Sequence, residues 1–262
     1  MIFDSHCHID PNVYGGMDGV RAVIETARAA GVSRMLTVGA GYGDGTAARA
    51  VQVAQDFDGV WASVGVHPHD ADKLDDAGLA ELIELSKRDC VVAWGEIGLD
   101  FYYDNSPRDV QRAVFRQQIK TALELDLPII IHDRDSHGEC LRTLDEEGAW
   151  DGRGVLYHCY AGDLEQLAVL VQRGAMISIP GVVTYKKSHV LHQVAAQVPD
   201  EQYLVETDAP FLTPEPLRGR RNEPCHVALT VERVAELRGQ SPKQVALQTW
   251  ENGARFFGLP LR

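Results

Sequence analysis

The chain has 262 residues, 45% of them apolar and 24% charged, and its 38 acidic against 25 basic side chains give a net charge of −13. That length can bury one large core and lies in the size range of a single α/β barrel domain, while the composition excludes disordered, fibrous and membrane-spanning classes. The acidic balance argues against broad, non-specific adhesion to nucleic acid, although a locally basic mouth or bound cations can still attract a few phosphates.

The first strand is predicted over residues 2–8, which leaves no room for a signal peptide and implies a cytoplasmic protein. Further β-rich runs follow at 34–39, 60–66, 91–97, 128–133, 154–158, 175–179 and 203–207. Amphipathic helical stretches alternate with them at 20–30, 45–55, 79–87, 107–125, 138–147, 164–172, 189–197 and 227–237, and a last helix is expected over 242–256. No Pro/Ser/Gly-rich linker interrupts the alternation, and the longest apolar runs are strand-sized, far short of a bilayer span. Cys7, Cys90, Cys140, Cys159 and Cys225 are scattered, odd in number and without a C-x-x-C pair, so they read as reduced thiols.

Eight strand–helix units describe a parallel sheet with helical crossovers, for which the (β/α)8 barrel of TIM type, one domain over residues 1–262, is the expected fold. A doubly wound open sheet is the alternative. His6 and His8 lie two apart on the first strand and so project to one face. Two buried imidazoles aimed at one spot need something that neutralises and orients both, and a divalent cation does this. Glu96, His132, His158 and Asp208 each fall at the C-terminal end of a separate predicted strand, the end at which barrel enzymes carry their sites. Six such groups exceed what one catalytic zinc takes. Two ions sharing a carboxylate fit the number, with Glu96 the natural bridge, and the imidazole–carboxylate mixture suits Zn²⁺ or Mn²⁺ without excluding Mg²⁺.

The blocks DSHCHID (4–10), GVHPH (65–69), GEIGLDFYYD (95–104), IIHDRDSHGE (130–139), HCYAG (158–162), ETDAPFLTP (206–214) and RGRRNEP (218–224) run nearly end to end. In this order the chain resembles the TatD family of metal-dependent deoxyribonucleases, within the amidohydrolase-like metal barrels. The resemblance implies that His6, His8, Glu96 and Asp208 hold one metal and Glu96, His132 and His158 the other. It also implies Mg²⁺-dependent hydrolysis of DNA, often as a 3′ to 5′ exonuclease. Ser136 and Asp163 depart from the family pattern.

Glu206 shares a strand face with Asp208 and is expected to orient a neighbour or contact substrate, while His67, after the third strand, can donate to a phosphate or to the leaving oxygen. His69 is read as lying further out, in an exposed role. Arg134, two residues past His132, can fork onto phosphate, with pairing to Asp100 or Asp135 as the competing account. Arg218, Arg220, Arg221 and Asn222 form the dense basic cluster after the eighth strand, and Arg220, Arg221 and Asn222 are assigned to phosphate contact. The expected chemistry is hydrolysis by a metal-activated water with Asp208 as base, on single-stranded or end-frayed DNA, with no membrane role and no obligate protein partner. A D-aminoacyl-tRNA ester deacylase, or a cyclic amidohydrolase or lactonase on the same scaffold, are the alternative readings.

Overall fold

The computed structural model describes residues 1–41, 43 and 45–260. Eight strands, β1 (Ile2–Cys7), β2 (Val32–Gly39), β3 (Val60–Val64), β4 (Val91–Asp100), β5 (Ile129–Arg134), β6 (Val155–Tyr157), β7 (Met176–Ile179) and β8 (Tyr203–Val205), follow in sequence order in one sheet. The helices are α1 (Pro11–Tyr14), α2 (Met17–Ala29), α3 (Thr46–Asp56), α4 (Asp76–Ser86), α5 (Arg108–Glu124), α6 (Glu139–Glu146), α7 (Leu164–Gln172), α8 (His189–Gln197), α9 (Val227–Arg238) and α10 (Pro242–Phe257). This is the (β/α)8 order of the TIM-type barrel, as the alternating pattern predicts. Among the described residues no helix is long and apolar enough to cross a membrane. The chain divides into two compact units, Met1–Thr37 with His158–Arg262, and Val38–Tyr157.

In the first unit β1 pairs parallel with β2, and β7 with β8. The segment after β8 closes on the end of β1: the Asp208 amide donates to the His6 carbonyl at 2.9 Å and the His8 amide to the Ala209 carbonyl at 2.7 Å. α10 starts where local chemistry dictates, with Pro242 in its first turn and a Ser241–Gln244 capping box, and it ends at Gly258 in the left-handed region. It packs against β1 so closely that a Cβ on Gly253 would come within 2.3 Å of the Phe3 ring. Asp163, one of the departures from the family pattern, caps α7 by accepting from the Gln166 amide, so its charge faces the positive end of that helix.

In the second unit β3 to β6 form a parallel ladder in which Trp94 lies opposite Ile129 and Ile131 opposite Tyr157. Ile129, Ile130 and Ile131 are all buried, the continuous apolar run expected of a strand covered on both faces. Trp94 has no exposed surface, and truncating it to alanine would cost about 3 to 5 kcal/mol. One expectation needs correction. Glu96 does not end β4; the strand runs on to Asp100, and Leu99 and Asp100 pair with Asp133 and Arg134. The glycines of GEIGLD weaken the strand signal but are required by the packing. Gly98 has φ +148°, and a Cβ there would lie 1.9 Å from the His132 carbonyl oxygen. That close approach sets the depth of His132 relative to Glu96.

Candidate metal centre

In the first unit, His6 and His8 reach one face from the end of β1, and Asp208 meets them from the segment after β8. The His6 Nε2 to Asp208 Oδ1 distance is 3.7 Å and the His8 Nε2 to Asp208 Oδ1 distance 3.5 Å. All three side chains are buried, and their ligand atoms lie within 4.8 Å of one another. Ion pairs in direct contact would sit closer than this. Groups that share a divalent ion at about 2.0 to 2.2 Å are spaced by about 3 to 4 Å, so the donor set and its spacing fit such an ion. Asp208 has φ 54°, in the left-handed region that aspartate tolerates better than most residues, and its amide is tied to the His6 carbonyl. Burial works against its ionisation, but the neighbouring imidazoles of His8, His6 and His158 outweigh it and hold the carboxyl below its ordinary range.

His158 stacks on His6 with ring centroids 3.8 Å apart and planes 10° from parallel. Behind it stands Glu206, fully buried, whose Oε1 accepts from the Cys159 amide at 2.6 Å and lies 3.5 Å from His158 Nδ1. Glu206 thus stands beside the His158 ring, where a carboxylate can bias the orientation of an imidazole. Cys7 points the other way, donating to the Leu36 carbonyl, as strand alternation requires. Asp4, one pleat below His6, accepts from both the amide and the hydroxyl of Thr207, yet its complete burial pushes its carboxyl up to about 8.

In the second unit, Glu96, His132 and His67 converge. His132 Nε2 donates to Asp100 Oδ2 at 3.1 Å, and its Nδ1 lies 2.7 Å from Glu96 Oε1. With the proton on Nε2, a lone pair and a carboxylate oxygen face each other at that distance, an arrangement that requires a shared proton or a cation. This pair, too, fits a divalent ion. His67 is arranged differently. Its Nδ1 accepts from the His69 amide at 3.1 Å, and burial pushes the ring down to about 4 despite the nearby Glu96, so it is neutral with its proton on Nε2. That N–H lies 3.5 Å from Glu96 Oε1 and 3.3 Å from His132 Nδ1. His67 is therefore a hydrogen-bond donor at the centre.

Asp100 is the residue that the sequence did not single out. Its Oδ2 also accepts from His69 Nε2 at 2.8 Å, and its Oδ1 accepts from the amides of Tyr102 and Tyr103 at 3.0 and 2.9 Å. Burial would push its pKa up, but the bonds from His132, His69 and the Tyr103 amide more than offset that and hold it well below the usual carboxylate range. His69, read as exposed, is instead half-buried against Asp100 and 4.3 Å from the His67 ring. The available signal was its spacing in H-P-H, because the 3₁₀ turn over Pro68–Lys73 folds it back.

The basic residues lie as follows. Arg134 is exposed at the end of β5 and stacks over Tyr102 and Tyr103 at 4.2 and 4.8 Å. The suggested pairing with Asp100 does not occur, since that carboxylate is committed to the two histidines and two amides. Arg218 covers Tyr185, Arg221 covers Tyr14 and lies 3.5 Å from Glu223, and Arg220 is exposed. The assignment of Asn222 to phosphate is corrected by its surroundings. It is fully buried, its amide hydrogens go to the carbonyls of Thr207 and Phe211, and its Oδ1 accepts from the Glu223 amide and faces His226 Nδ1 at 2.9 Å. It braces the loop after β8, with no hydrogen-bonding group left over for a ligand.

Strands in (β/α)8 order and buried imidazole–carboxylate clusters at their C-terminal ends define a metal-dependent hydrolase. The model of the TatD related DNase family matches residues 3–258, and the chain belongs to that family. It is 40% identical over 259 residues to the "uncharacterized metal-dependent hydrolase YabD" of Bacillus subtilis, covering 99% of this chain and all of the relative. It is 36% identical over 242 residues to the "3′-5′ ssDNA/RNA exonuclease TatD" of Cronobacter sakazakii, covering 90% of each. The crystal structure of YJJV, a TatD homologue from Escherichia coli K12, matches with a TM-score of 0.90 at 30% identity, over 99% of this chain and 98% of that one.

Proposed function

We propose that this chain is a divalent-metal-dependent phosphodiesterase that shortens single-stranded DNA from its 3′ end. The observation that carries the reading is the pair of buried imidazole–carboxylate clusters, each backed by an orienting carboxylate: Glu206 behind His158 and Asp100 behind His132. The name of the Cronobacter relative supports the substrate class. His6, His8 and Asp208 would hold metal in one cluster, with His158 stacked on His6 as a further ligand, and Glu96 and His132 in the other, giving two ions of Mg²⁺, Mn²⁺ or Zn²⁺ per chain. Bound there, such ions supply a lowered pKa for the attacking water and neutralise charge on the phosphate.

The protein's own groups do the rest. Asp208, ionised at neutral pH, accepts the proton of the attacking water. The neutral His67 donates its Nε2 proton as a hydrogen bond to a phosphate oxygen or to the leaving 3′ oxygen, where charge develops. Glu206 and Asp100 keep the two imidazoles aimed. Arg134, Arg220 and Arg221 bring guanidinium charge to the strand's phosphates. A protein with a net charge of −13 grips a flexible end more readily than a long stiff duplex.

The test is incubation of end-labelled single-stranded, duplex and covalently closed circular DNA, an RNA strand and D-aminoacyl-tRNA with Mg²⁺ or Mn²⁺. Stepwise shortening of the single strand from its 3′ end is expected, abolished by a chelator. Circles cut as fast as linear strands would remove the end requirement, and hydrolysis of the tRNA ester alone would replace the nuclease by a deacylase.

A further inference from the structure

We propose that Tyr102, Tyr103 and Arg134 form a stacking platform for a nucleobase beside the metal centre, held in register with it by Asp100; this deepens, and rests on, the nuclease reading above. Tyr102 and Tyr103 are 59% and 54% exposed and stand next to each other in the chain, so they form one aromatic surface open to a ligand. They stand edge to face, 4.8 Å apart at 88°. The Arg134 guanidinium lies over both, 4.2 Å from one centroid and 4.8 Å from the other. Two exposed rings and a guanidinium plane are the surfaces on which unpaired bases stack, and they tolerate any sequence because every base has a π-face. The cation adds a second recognition element, since its N–H fork can reach the phosphate attached to the stacked nucleoside.

The platform is tied to the site through one side chain. Asp100 Oδ1 accepts from the amides of Tyr102 and Tyr103, while its Oδ2 accepts from His132 and His69. The same buried carboxylate therefore pins the backbone under both rings and orients the imidazole that faces Glu96. His69 closes the gap, with its ring edge-on to Tyr103 at 5.4 Å and next to His67 at 4.3 Å. A base on the platform thus sits at a fixed offset from the donor His67 and the ligand His132. The single-strand preference follows, because a base must leave its duplex partner to stack there. Asp100 and His69 are positioning residues in this scheme, and Tyr102, Tyr103 and Arg134 touch the substrate.

The experiment is a binding cycle that needs no turnover. The dissociation constant of a labelled ten-nucleotide oligo-dT is measured by fluorescence anisotropy in excess EDTA, against an oligomer of the same length with abasic residues. The proteins are the wild type, Tyr102→Ala, Tyr103→Ala, Tyr102→Phe, Tyr103→Phe and Arg134→Gln. Both tyrosines are exposed, and circular dichroism verifies the fold of each variant. The alanine variants are expected to bind oligo-dT about tenfold more weakly, the effect of losing one stacked base, and to bind the abasic strand as the wild type does. The phenylalanine variants should retain wild-type affinity. Arg134→Gln should weaken both strands, oligo-dT more than the abasic one, and reduce the slope of log K against log salt by about 0.7, one single-strand phosphate contact. If the wild type binds and cleaves single-stranded DNA while the alanine variants bind oligo-dT as tightly as it does, the platform is overturned and the nuclease reading stands. Equal losses on oligo-dT and abasic strands would also overturn it, by showing that the rings do not read bases. A wild type that neither binds nor cleaves any nucleic acid overturns the nuclease reading itself, and the platform with it.

Discussion

Replacing Asp100 by asparagine changes one atom of a fully buried side chain, and four hydrogen bonds make the outcome calculable. The asparagine carbonyl can still accept from the amides of Tyr102 and Tyr103. Its NH2 group would then be turned on His69 and His132, donor against donor. His132 escapes the clash by moving its proton to Nδ1 and accepting through Nε2. The atom 2.7 Å from Glu96 Oε1 then becomes an N–H and ceases to be a lone pair for a cation. Loss of an orienting carboxylate behind a metal-holding histidine costs about 10- to 100-fold in affinity, or roughly 1.4 to 2.7 kcal/mol. Calorimetric titration with Mn²⁺ should therefore show one weakened site in Asp100→Asn, and ¹⁵N shifts of the His132 ring should report the tautomer change. Because the folded pKa of Asp100 is depressed, its contribution to stability is present above the unfolded value of 3.8 and declines as pH falls towards the folded one. The stability difference between variant and wild type should persist at pH 6 and shrink in stronger acid. Unchanged Mn²⁺ affinity with the His132 proton still on Nε2 would refute the reasoning.

Two further outcomes are expected. Asp208→Asn, restored to full metal occupancy, should bind oligonucleotide normally but turn over more slowly by a factor of about 10² to 10⁴, the usual loss on removing a general base; normal turnover at full occupancy would leave Asp208 a ligand only. Asp4 has the opposite sign of linkage to Asp100. Its folded carboxyl is raised to about 8, so between 3.8 and about 8 the native state holds a proton that the unfolded chain releases, and stability falls by about 1.4 kcal/mol per pH unit from this group. Asp4→Asn can keep both bonds to Thr207 and should raise Tm more at pH 8 than at pH 4, and an equal shift at both values would disprove the raised pKa.

Much of this protein was legible in the chain itself. Strand and helix signals are local, arising from apolar runs such as Ile129 to Ile131 and from helical periodicity, so the eightfold alternation was legible while element ends were less so. Histidines two apart on one strand must share a face, and for that reason His6 and His8 were recognisable as a pair. What tertiary structure decided was which distant group each polar atom meets. Asp100 looks like one more acid in GEIGLD, and only the fold brings it to His69 and His132, 31 and 32 residues away. β4 passes Glu96 because Gly98 lets the strand lie against the His132 carbonyl, a contact that no local preference of glycine could announce. Asn222, in a basic run that reads as a phosphate loop, is buried because its amide donates to the carbonyls of Thr207 and Phe211, and those partners come within reach only once the segment after β8 has folded back on itself.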